Sequence, residues 1–270
     1  MTTIAIGGFG KAKKVSYKGK TAVVKYINIS HDPSATLATS ALNRENAKYE
    51  AEIMKLFKDS TNIATIYEVE GHAIYMKYYP LGSLEDVIKS GKANRNRYKF
   101  ARDIIWGLYQ IHNLNYVHCD LKAKNILCEL SEIKEVFIVN SVISDFGSAR
   151  KKGSQPISYT PGFVPPDFSY KPVSFEADIY SLGKVFLQLF KHVTNVAEID
   201  FNNFDSKLKF CDFANHFIDC TKNYQDYQKE MYYLVKNCLN PIPEKRPKLS
   251  ELYSFVEKQW KIFPYFDYRS

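Results

Sequence analysis

Two short segments constrain this chain more than any other feature of its sequence. The first, His118 to Asn125, places a carboxylate, a lysine and an amide within eight residues and continues into the apolar pair Ile126-Leu127. The second, twenty residues after Asn125, is Asp145-Phe146-Gly147, which follows Val142-Ile143. Either segment alone is compatible with chance or with a structural pair. Their occurrence together, in this order and behind a glycine cluster, indicates one centre for phosphate chemistry.

Composition bounds the class of protein. The chain has 270 residues, 45% hydrophobic and 24% charged, which is typical of a soluble globular protein with two units or one two-lobed domain. No run of 18 apolar residues predicts a membrane span, and the start MTTIAIGGFG lacks the pattern of a secretory signal. The five cysteines are widely spaced without a CxxC pair, so neither a zinc site nor a disulfide framework is predicted. We therefore expect an intracellular protein of the cytoplasm or nucleus.

The net charge is 37 − 29, or +8, and part of it is concentrated near the N-terminus. The simplest interpretation of these lysines is the solvated outer face of a hairpin, and phosphate binding by part of the segment is the alternative. No helix-turn-helix, finger or RNP-type signature accompanies the charge, so we do not expect specific nucleic-acid binding. The charge favours acidic partners. The lysines are Lys11, Lys13, Lys14, Lys18, Lys20 and Lys25.

The order of predicted elements divides the chain into a β-rich front and a helical back. Residues 4–27 read as strands around a turn at Lys18-Gly19, and Asp32-Pro33 opens a helix that extends to about Phe57. Strands are predicted at 63–69 and 73–79. From Leu84 the chain reads as mainly helical, with loops around 118–126 and 144–175. The final residues, Trp260 to Tyr268, are rich in aromatics and are expected to pack on the back of the molecule.

The front carries a glycine cluster and a lysine that belong to one predicted sheet. Glycines at 7, 8 and 10 allow backbone N–H groups to approach phosphate oxygens, although an ordinary hairpin explains them equally well. Lys25 follows fifteen residues after Gly10 inside the apolar run 22–27. If this lysine points inward it needs an anion, because an unpaired buried charge is costly. Helical periodicity favours Glu50 as its partner, since positions +3, +4 and +7 from it are apolar, and Glu52 is the second choice.

The residues of the middle segments match the needs of phosphoryl transfer. Mg²⁺ prefers oxygen ligands, which Asp145 and the side-chain carbonyl of Asn125 can supply. Asp120 can accept or orient an incoming hydroxyl, and Lys122 can neutralise charge on the transferred phosphoryl group.

These motifs together resemble the eukaryotic-type protein kinases, whose pattern is a glycine loop, V-A-I-K, H-R-D-L-K-x-x-N, D-F-G and A-P-E. The resemblance covers nearly the whole chain and implies an α+β, bilobal fold. It implies a single domain over 1–270, with a small β-rich N-lobe at about 1–79 and a larger α-helical C-lobe at about 80–270. ATP in the cleft, with Mg²⁺ or alternatively Mn²⁺, would phosphorylate a protein substrate. Lys122, two residues after Asp120, is the form seen in members specific for Ser and Thr.

The resemblance also assigns positions beyond the catalytic motifs. The segment Tyr159 to Asp167 resembles the family's peptide-binding stretch, Asp178 to Gly183 resembles the helix start beneath the catalytic loop, and Arg246 matches the arginine that pairs with the A-P-E glutamate, here Asp167. Met76 falls at the gatekeeper position, 77–79 at the hinge and Ser83 near the ribose. The implied nucleotide-binding positions are Ala5, Ile6, Gly7, Gly8, Phe9, Gly10, Ala12, Lys25, Glu50, Met76, Tyr78, Tyr79 and Ser83.

Some positions depart from the family pattern. Ala5 stands in place of the first loop glycine and Ala12 in place of the valine that covers adenine, which loosens the expected nucleotide site. Cys119 replaces the arginine that grips an activation-loop phosphate, so activity is expected not to depend on such a phosphate. The short length and atypical motifs resemble kinases of large DNA viruses, in particular the baculoviral protein kinases.

Two other functions are compatible with parts of the pattern. A pseudokinase scaffold would keep the fold without turnover, but Lys25, Asp120, Asn125 and Asp145 are all present. A small-molecule kinase of the aminoglycoside type shares the His-x-Asp, Asn and Asp layout. The segment from Thr160 to Asp167 favours a protein substrate instead.

Overall fold

The N-terminal part of the molecule is an antiparallel sheet covered by one helix. The structure is a computed structural model that describes residues 2–7, 10–27, 37–93, 96–133, 136–191, 196–207 and 223–262. Five strands lie in the order β1-β2-β3-β5-β4. Their bounds are β1 (Thr2–Gly7), β2 (Gly10–Tyr17), β3 (Lys20–Ile27), β4 (Ile66–Glu70) and β5 (Ala73–Lys77).

The predicted turn between β2 and β3 forms at Lys18-Gly19. Lys18 and Gly19 both have positive φ, 48° and 76°, which is the geometry of the tight turns that join twisted antiparallel strands. The register pairs Tyr17 with Lys20 at this turn and places Ala12 opposite Lys25. The predicted β-structure of residues 4–27 is therefore confirmed for the residues described.

Helix α1 (Leu37–Leu56) packs against the sheet and the start of the segment after Asp145. Ala47, Glu50, Ala51 and Met54 are buried, whereas Glu52 is exposed, which is the face that helical spacing predicts. The predicted beginning of this helix at Asp32-Pro33 lies outside the described residues.

The C-terminal part is helical, and its central helix is buried on all sides. Ile179, Leu182 and Phe186 of helix α4 (Phe175–Lys191) belong to the main hydrophobic core together with residues of the neighbouring helices. The polar residues of α4, Asp178, Ser181, Lys184 and Gln188, are buried as well, so the helix belongs to the core. The helices are α2 (Leu84–Lys89), α3 (Arg97–Asn113), α4 (Phe175–Lys191), α5 (Phe204–Lys207), α6 (Asn223–Cys238) and α7 (Leu249–Ile262).

One hairpin corrects the sequence-based prediction of a mainly helical back. Two short strands, β6 (Tyr116–Val117) and β9 (Arg150–Lys151), pair with each other, and β7 (Ile126–Ile133) pairs with β8 (Val136–Ile143) along its whole length. The 126–143 segment is rich in β-branched residues, which favour strands over helices. This signal was available in the sequence, and the prediction of helix there was wrong.

The predicted fold class is confirmed: a β-rich front and a helical back form an α+β molecule of two lobes. Among the described helices, none combines the length and the apolar character that crossing a membrane requires. The aromatic end is described only as far as Ile262. Trp260 there stacks under the Arg102 guanidinium, 4.4 Å from its ring centre, and residues 263–268 of that prediction lie outside the described residues.

Candidate active site

A buried ion triad joins three distant parts of the chain. Lys25 on β3 donates hydrogen bonds to both carboxylate oxygens of Glu50 on α1, at 2.8 and 2.9 Å. The same ammonium donates to Oδ1 of Asp145, which follows β8, at 2.8 Å. The inward lysine therefore has the anion that the sequence argument required, and Glu50 rather than Glu52 supplies it.

The two carboxylates of this triad differ in environment. Only 3% of the Glu50 side chain is exposed, against 28% of the Asp145 side chain, so of the two carboxylates Asp145 is the more accessible. Burial raises the pKa of Glu50, whereas for Asp145 the nearby Lys25 charge outweighs burial and lowers the pKa. Burial would lower the pKa of Lys25, but the two carboxylates raise it well above its ordinary value. Lys25 and Asp145 are therefore charged at neutral pH.

The backbone at Asp145 is strained in a way that aims its side chain. Asp145 adopts a left-handed conformation with φ of 67°, which a residue other than glycine adopts only where its surroundings hold it. The next residue, Phe146, is fully buried and packs on Phe57 and His118, with ring centres 5.7 and 5.2 Å away. The buried Phe146 ring therefore anchors the segment directly after Asp145.

A second contact fixes helix α1 to the segment that follows Gly147. The Tyr49 hydroxyl donates to the carbonyl of Ala149 at 2.8 Å. Arg150 lies over the Tyr49 ring at 4.7 Å and donates to the carbonyls of Gly147 and Ala149 at 3.2 and 2.6 Å. Because Tyr49 precedes Glu50, this clasp also holds Glu50 toward Lys25.

A second cluster surrounds the carboxylate of Asp120 with donors. Lys122 Nζ and Asn125 Nδ2 donate to its Oδ2 at 2.8 and 3.0 Å, and the Thr160 hydroxyl donates to Oδ1 at 2.6 Å. Lys122 also donates to the Thr160 hydroxyl at 2.6 Å. The carboxylate is thus fixed in orientation by donors at both of its oxygens.

The loop that carries Asp120 rests on the start of helix α4. The buried carboxylate of Asp178 accepts from the backbone N–H groups of His118 and Cys119, at 2.8 and 3.1 Å, and is 2.9 Å from His112 Nε2. Cys119 has a φ of 67°, a strained conformation that these bonds hold in place. This contact is the one implied by the resemblance of residues 178–183 to the family's helix start.

The two clusters are linked through adjacent backbone. The carbonyl of Asn125 accepts from Ser144 N–H at 2.8 Å and from its hydroxyl at 2.9 Å. Asn125 Nδ2 donates to the backbone and side-chain oxygens of Asp120, which turns the amide oxygen the other way. Since Asp145 follows Ser144 directly, this bond places the backbone of Asn125 next to the residue that precedes Asp145.

Several of the predicted nucleotide positions lie on strands β1 and β2. The backbones of Ala5, Ile6 and Gly7 lie on β1, where Gly7 pairs with Gly10, whereas Gly8 and Phe9 lie outside the described residues. Ala12 lies opposite Lys25 on the adjacent strand.

The segment after β5 connects the two parts of the molecule at the predicted hinge. Met76 is buried, and the Tyr79 hydroxyl accepts from Thr65 N–H at 3.0 Å. Tyr78 lies under the Lys14 ammonium, 4.3 Å from the ring centre. Ser83 caps helix α2: its hydroxyl donates to the Asp86 carboxylate at 2.6 Å and accepts from the Asp86 N–H at 3.2 Å.

One ion pair implied by the resemblance does not form. Asp167 pairs with Lys171, four residues further on, and the Arg246 guanidinium donates to the backbone carbonyls of Glu176 and Asn240 at 2.7 and 2.8 Å. Asp167 is one methylene shorter than the glutamate of the family motif, so it pairs with the nearby Lys171 and not with Arg246. The predicted Arg246–Asp167 pair was wrong.

Sequence reasoning did not include Thr160 among the catalytic-site residues. It placed Thr160 only in the peptide-binding segment, although the hydroxyl bridges Asp120 and Lys122. Thr160 lies 40 residues from Asp120 in the chain, and no spacing rule joins them. The sequence signal that was available is its place in the motif Thr160-Pro161.

Comparisons with known proteins agree with this geometry. A family model described as "Protein kinase domain" matches residues 1–260, and the chain therefore belongs to the protein kinase family. It is 29% identical over 191 residues to mitogen-activated protein kinase kinase kinase 17 of Arabidopsis thaliana, covering 64% of this chain and 49% of that protein. It is 30% identical over 222 residues to serine/threonine-protein kinase Nek8 of Danio rerio, covering 76% of this chain and 29% of that protein.

A relative of different specificity is similar to the same degree. Tyrosine-protein kinase Src64B of Drosophila melanogaster is 26% identical over 245 residues, covering 82% of this chain and 40% of that protein. The chain thus spans less than half the length of the curated relatives it matches. The matches define the family and leave the hydroxyl specificity open.

Proposed function

We propose that this chain is an ATP- and Mg²⁺-dependent protein kinase that transfers the γ-phosphoryl group to Ser and Thr hydroxyls of protein substrates. The observation that carries the proposal is the approach of two clusters through one hydrogen-bonded backbone contact. Lys25 lies 2.8 Å from Asp145, Asn125 lies 3.0 Å from Asp120, and Ser144 N–H donates to the Asn125 carbonyl. Phosphoryl transfer depends on such positioning and charge more than on covalent catalysis.

The donor set beside Asp145 fits a hard divalent cation. Asp145 uses Oδ1 for Lys25, and no donor from the described part of the chain is bonded to its Oδ2 or to the Asn125 amide oxygen. Carboxylate and amide oxygens are the ligands that Mg²⁺ prefers, and Mn²⁺ accepts the same set. When bound, the ion would neutralise charge on the phosphate oxygens. Asp145 and Asn125 are the residues that would hold it.

Asp120 and Lys122 suit the transfer step itself. The Asp120 carboxylate would accept the proton of the substrate hydroxyl or orient its lone pair, because its donors fix its orientation. Lys122, already 2.8 Å from this carboxylate, would neutralise charge developing on the transferred group. Lys25, held by Glu50, would bind phosphate oxygens of ATP, and the backbone of 5–10 would cover them.

Two observations support Ser and Thr as acceptors and a protein as substrate. Lys122 occupies the position typical of Ser/Thr-specific members and contacts Asp120 directly. The Thr160 hydroxyl ties the predicted peptide-binding segment to the same carboxylate. The segment is therefore positioned to present a peptide hydroxyl to Asp120.

The same structure supports activity without an activation-segment phosphate. Cys119, which replaces the phosphate-gripping arginine, is buried, and its thiol donates to the Val117 carbonyl at 3.4 Å. Burial raises the pKa of this thiol, so the position is neutral. The Tyr49–Arg150 clasp holds α1 without any phosphate.

The experiment is transfer from labelled Mg-ATP, with phosphoamino-acid analysis of the product. The wild type and Asp145→Ala are compared on myelin basic protein and on dephosphorylated casein, a basic and an acidic probe. We expect phosphoserine or phosphothreonine with the wild type only. Phosphotyrosine alone would contradict the assigned specificity, and equal signals from both proteins would show contamination. Transfer to a sugar or an antibiotic and to no protein would assign the chain to small-molecule kinases.

A further inference from the structure

A lysine far from the ATP-binding residues is buried without a carboxylate partner. Lys184 lies on α4 and is 0% exposed. Its ammonium donates to the backbone carbonyls of Val196, at 2.9 Å, and Ile199. Within the described part of the chain these carbonyls are its only hydrogen-bond partners.

A lysine buried in this way lowers the stability of the folded protein. A buried ammonium loses its hydration, and two carbonyl dipoles compensate less than a carboxylate would. Burial lowers the pKa of Lys184 to about 8, against the weaker opposing influence of Asp200. A methionine of similar length would fill the same space without this penalty. The role of Lys184 is therefore sought in the segment that its two hydrogen bonds fix.

They hold a short turn that lies against the predicted peptide-binding segment. Val196–Glu198 form a single 3-10 turn, and Ala197 in its middle is exposed. A Cβ placed on Gly162 would be 2.6 Å from the Ala197 Cβ, so the turn is seated on this glycine without room for a methyl group. Gly162 also has a φ of 81°, which favours glycine.

The segment under this turn leads back to the catalytic carboxylate. The N–H of Phe163 donates to the carbonyl of Thr160 at 3.1 Å, which closes the turn that contains Gly162. The Thr160 hydroxyl in turn donates to Asp120 at 2.6 Å. One continuous set of contacts therefore runs from Lys184 through residues 196–199 and 160–163 to Asp120.

We infer that Lys184 is a positioning residue for protein-substrate binding, because its ammonium fixes the turn 196–199 that supports the peptide-binding segment at Gly162. The inference rests on the proposed function. It adds a residue that supports the binding of the protein substrate. Lys184 touches neither Lys25 nor Asp145, so it has no direct route to ATP. Its loss should weaken binding of the protein substrate and leave nucleotide binding unchanged.

The test compares KM values of Lys184→Met for the two substrates. On whichever of myelin basic protein and dephosphorylated casein the wild type phosphorylates, the KM for the protein should rise about tenfold, the scale of losing hydrogen bonds to a charged donor. The KM for ATP should stay within about twofold. The matched control is Gln188→Met, a buried polar residue one turn further along α4, which should change neither KM.

A second variant separates positioning from folding. Ala197→Gly removes the methyl group that faces Gly162 and keeps the rest of the turn, so it should raise the KM for the protein with only a small fall in the melting temperature. Combined with Lys184→Met, the two effects should be non-additive, because both act through the same turn. If Lys184→Met does not fold, the Ala197→Gly result alone decides.

The outcomes also distinguish this inference from the proposed function. An active wild type whose KM for protein is unchanged in Lys184→Met and Ala197→Gly would overturn the inference alone. An equal rise in both KM values would overturn it too, since that result indicates a general structural defect. A wild type that phosphorylates no protein while binding ATP would overturn the proposed function together with it.

Discussion

The two ion clusters of the cleft use opposite arrangements of charge. Around Lys25 a single cation lies between two carboxylates, those of Glu50 and Asp145. Around Asp120 a single carboxylate accepts from an ammonium, an amide and a hydroxyl. The first arrangement leaves room for a divalent cation, and the second fixes one carboxylate for a proton. In the proposed function, the first cluster would bind the nucleotide and the second would transfer its phosphoryl group.

The clusters also differ in how the chain assembles them. Lys25, Glu50 and Asp145 come from a strand, a helix and a loop separated by 25 and 120 residues in sequence. Apart from Thr160, the residues of the Asp120 cluster lie within the six-residue stretch 120–125. Asp178 binds the backbone of the two residues just before this stretch, His118 and Cys119. The first cluster therefore depends on how the sheet and α1 pack on the helical part. The second is mainly local.

A large effect should follow from removing the cation of the Lys25 cluster. Lys25→Met leaves two buried carboxylates without their cation and removes the donor to phosphate oxygens. We expect kcat/KM for ATP to fall about a hundredfold to a thousandfold, the range for losing one preorganised charge-stabilising donor. Lys89→Met is the control, because Lys89 is an exposed lysine outside the predicted nucleotide positions and is paired with Glu85 at 2.8 Å. Unchanged turnover in Lys25→Met would show that another lysine binds the phosphates.

The two buried lysines, Lys25 and Lys184, should differ in how their contribution to stability depends on pH. Lys25 has two carboxylates and a raised pKa, whereas Lys184 has none and a pKa lowered to about 8. Between pH 8 and 10.5 the unfolded chain holds a proton on Lys184 that the folded chain has released. The contribution of Lys184 to folding free energy therefore becomes more favourable as pH rises through this window, by about 3 kcal/mol.

Urea unfolding of the wild type and Lys184→Met at several pH values measures this contribution. At pH 7 the variant should be the more stable, because the wild type carries the full penalty of its buried charge. By pH 10 the difference should have largely disappeared. Parallel stability profiles for the two proteins would show that Lys184 does not titrate in this range.

A smaller effect should follow from loosening the transfer cluster. Thr160→Val keeps the shape of the side chain and removes the hydroxyl that bridges Asp120 and Lys122. We expect kcat to fall about tenfold, since one hydrogen bond to a charged group is lost while the carboxylate and its other donors remain. Thr160→Ser should retain most of the rate. A valine variant with wild-type kcat would remove Thr160 from the catalytic arrangement.

The smallest predicted effect concerns Ser83. Its hydroxyl forms a capping box with Asp86 at the start of α2, and removing such a cap costs about 1 kcal/mol. Ser83→Ala should therefore lower the free energy of unfolding by this amount and change the KM for ATP by less than about twofold. A large rise in the KM for ATP would instead favour the ribose contact that the family resemblance implies.

Local patterns in the sequence predicted the parts of the site that local geometry determines. Helical spacing chose Glu50 over Glu52 because one face of α1 is apolar, and the loop from His118 to Asn125 carries its own chemistry. The β2–β3 turn followed from Lys18-Gly19 for the same reason. These predictions needed no knowledge of which elements meet.

Tertiary contacts account for what the sequence did not predict. The bridge by Thr160 and the support of the 196–199 turn by Lys184 join residues with no periodic relation. The Arg246–Asp167 pair failed because motif transfer assumed a side-chain length that Asp167 does not have. The β7–β8 hairpin was missed for a different reason, since its β-branched residues were visible in the sequence.

The division of labour between the two clusters is tested most directly by Asp120→Asn. The substitution keeps the size of the side chain and removes its charge and its ability to accept the hydroxyl proton. We predict that kcat falls about a thousandfold while the dissociation constant of Mg-ATP, measured by calorimetry, stays within about threefold. A loss of ATP affinity as large as the loss of rate, or a variant that turns over normally, would contradict the account.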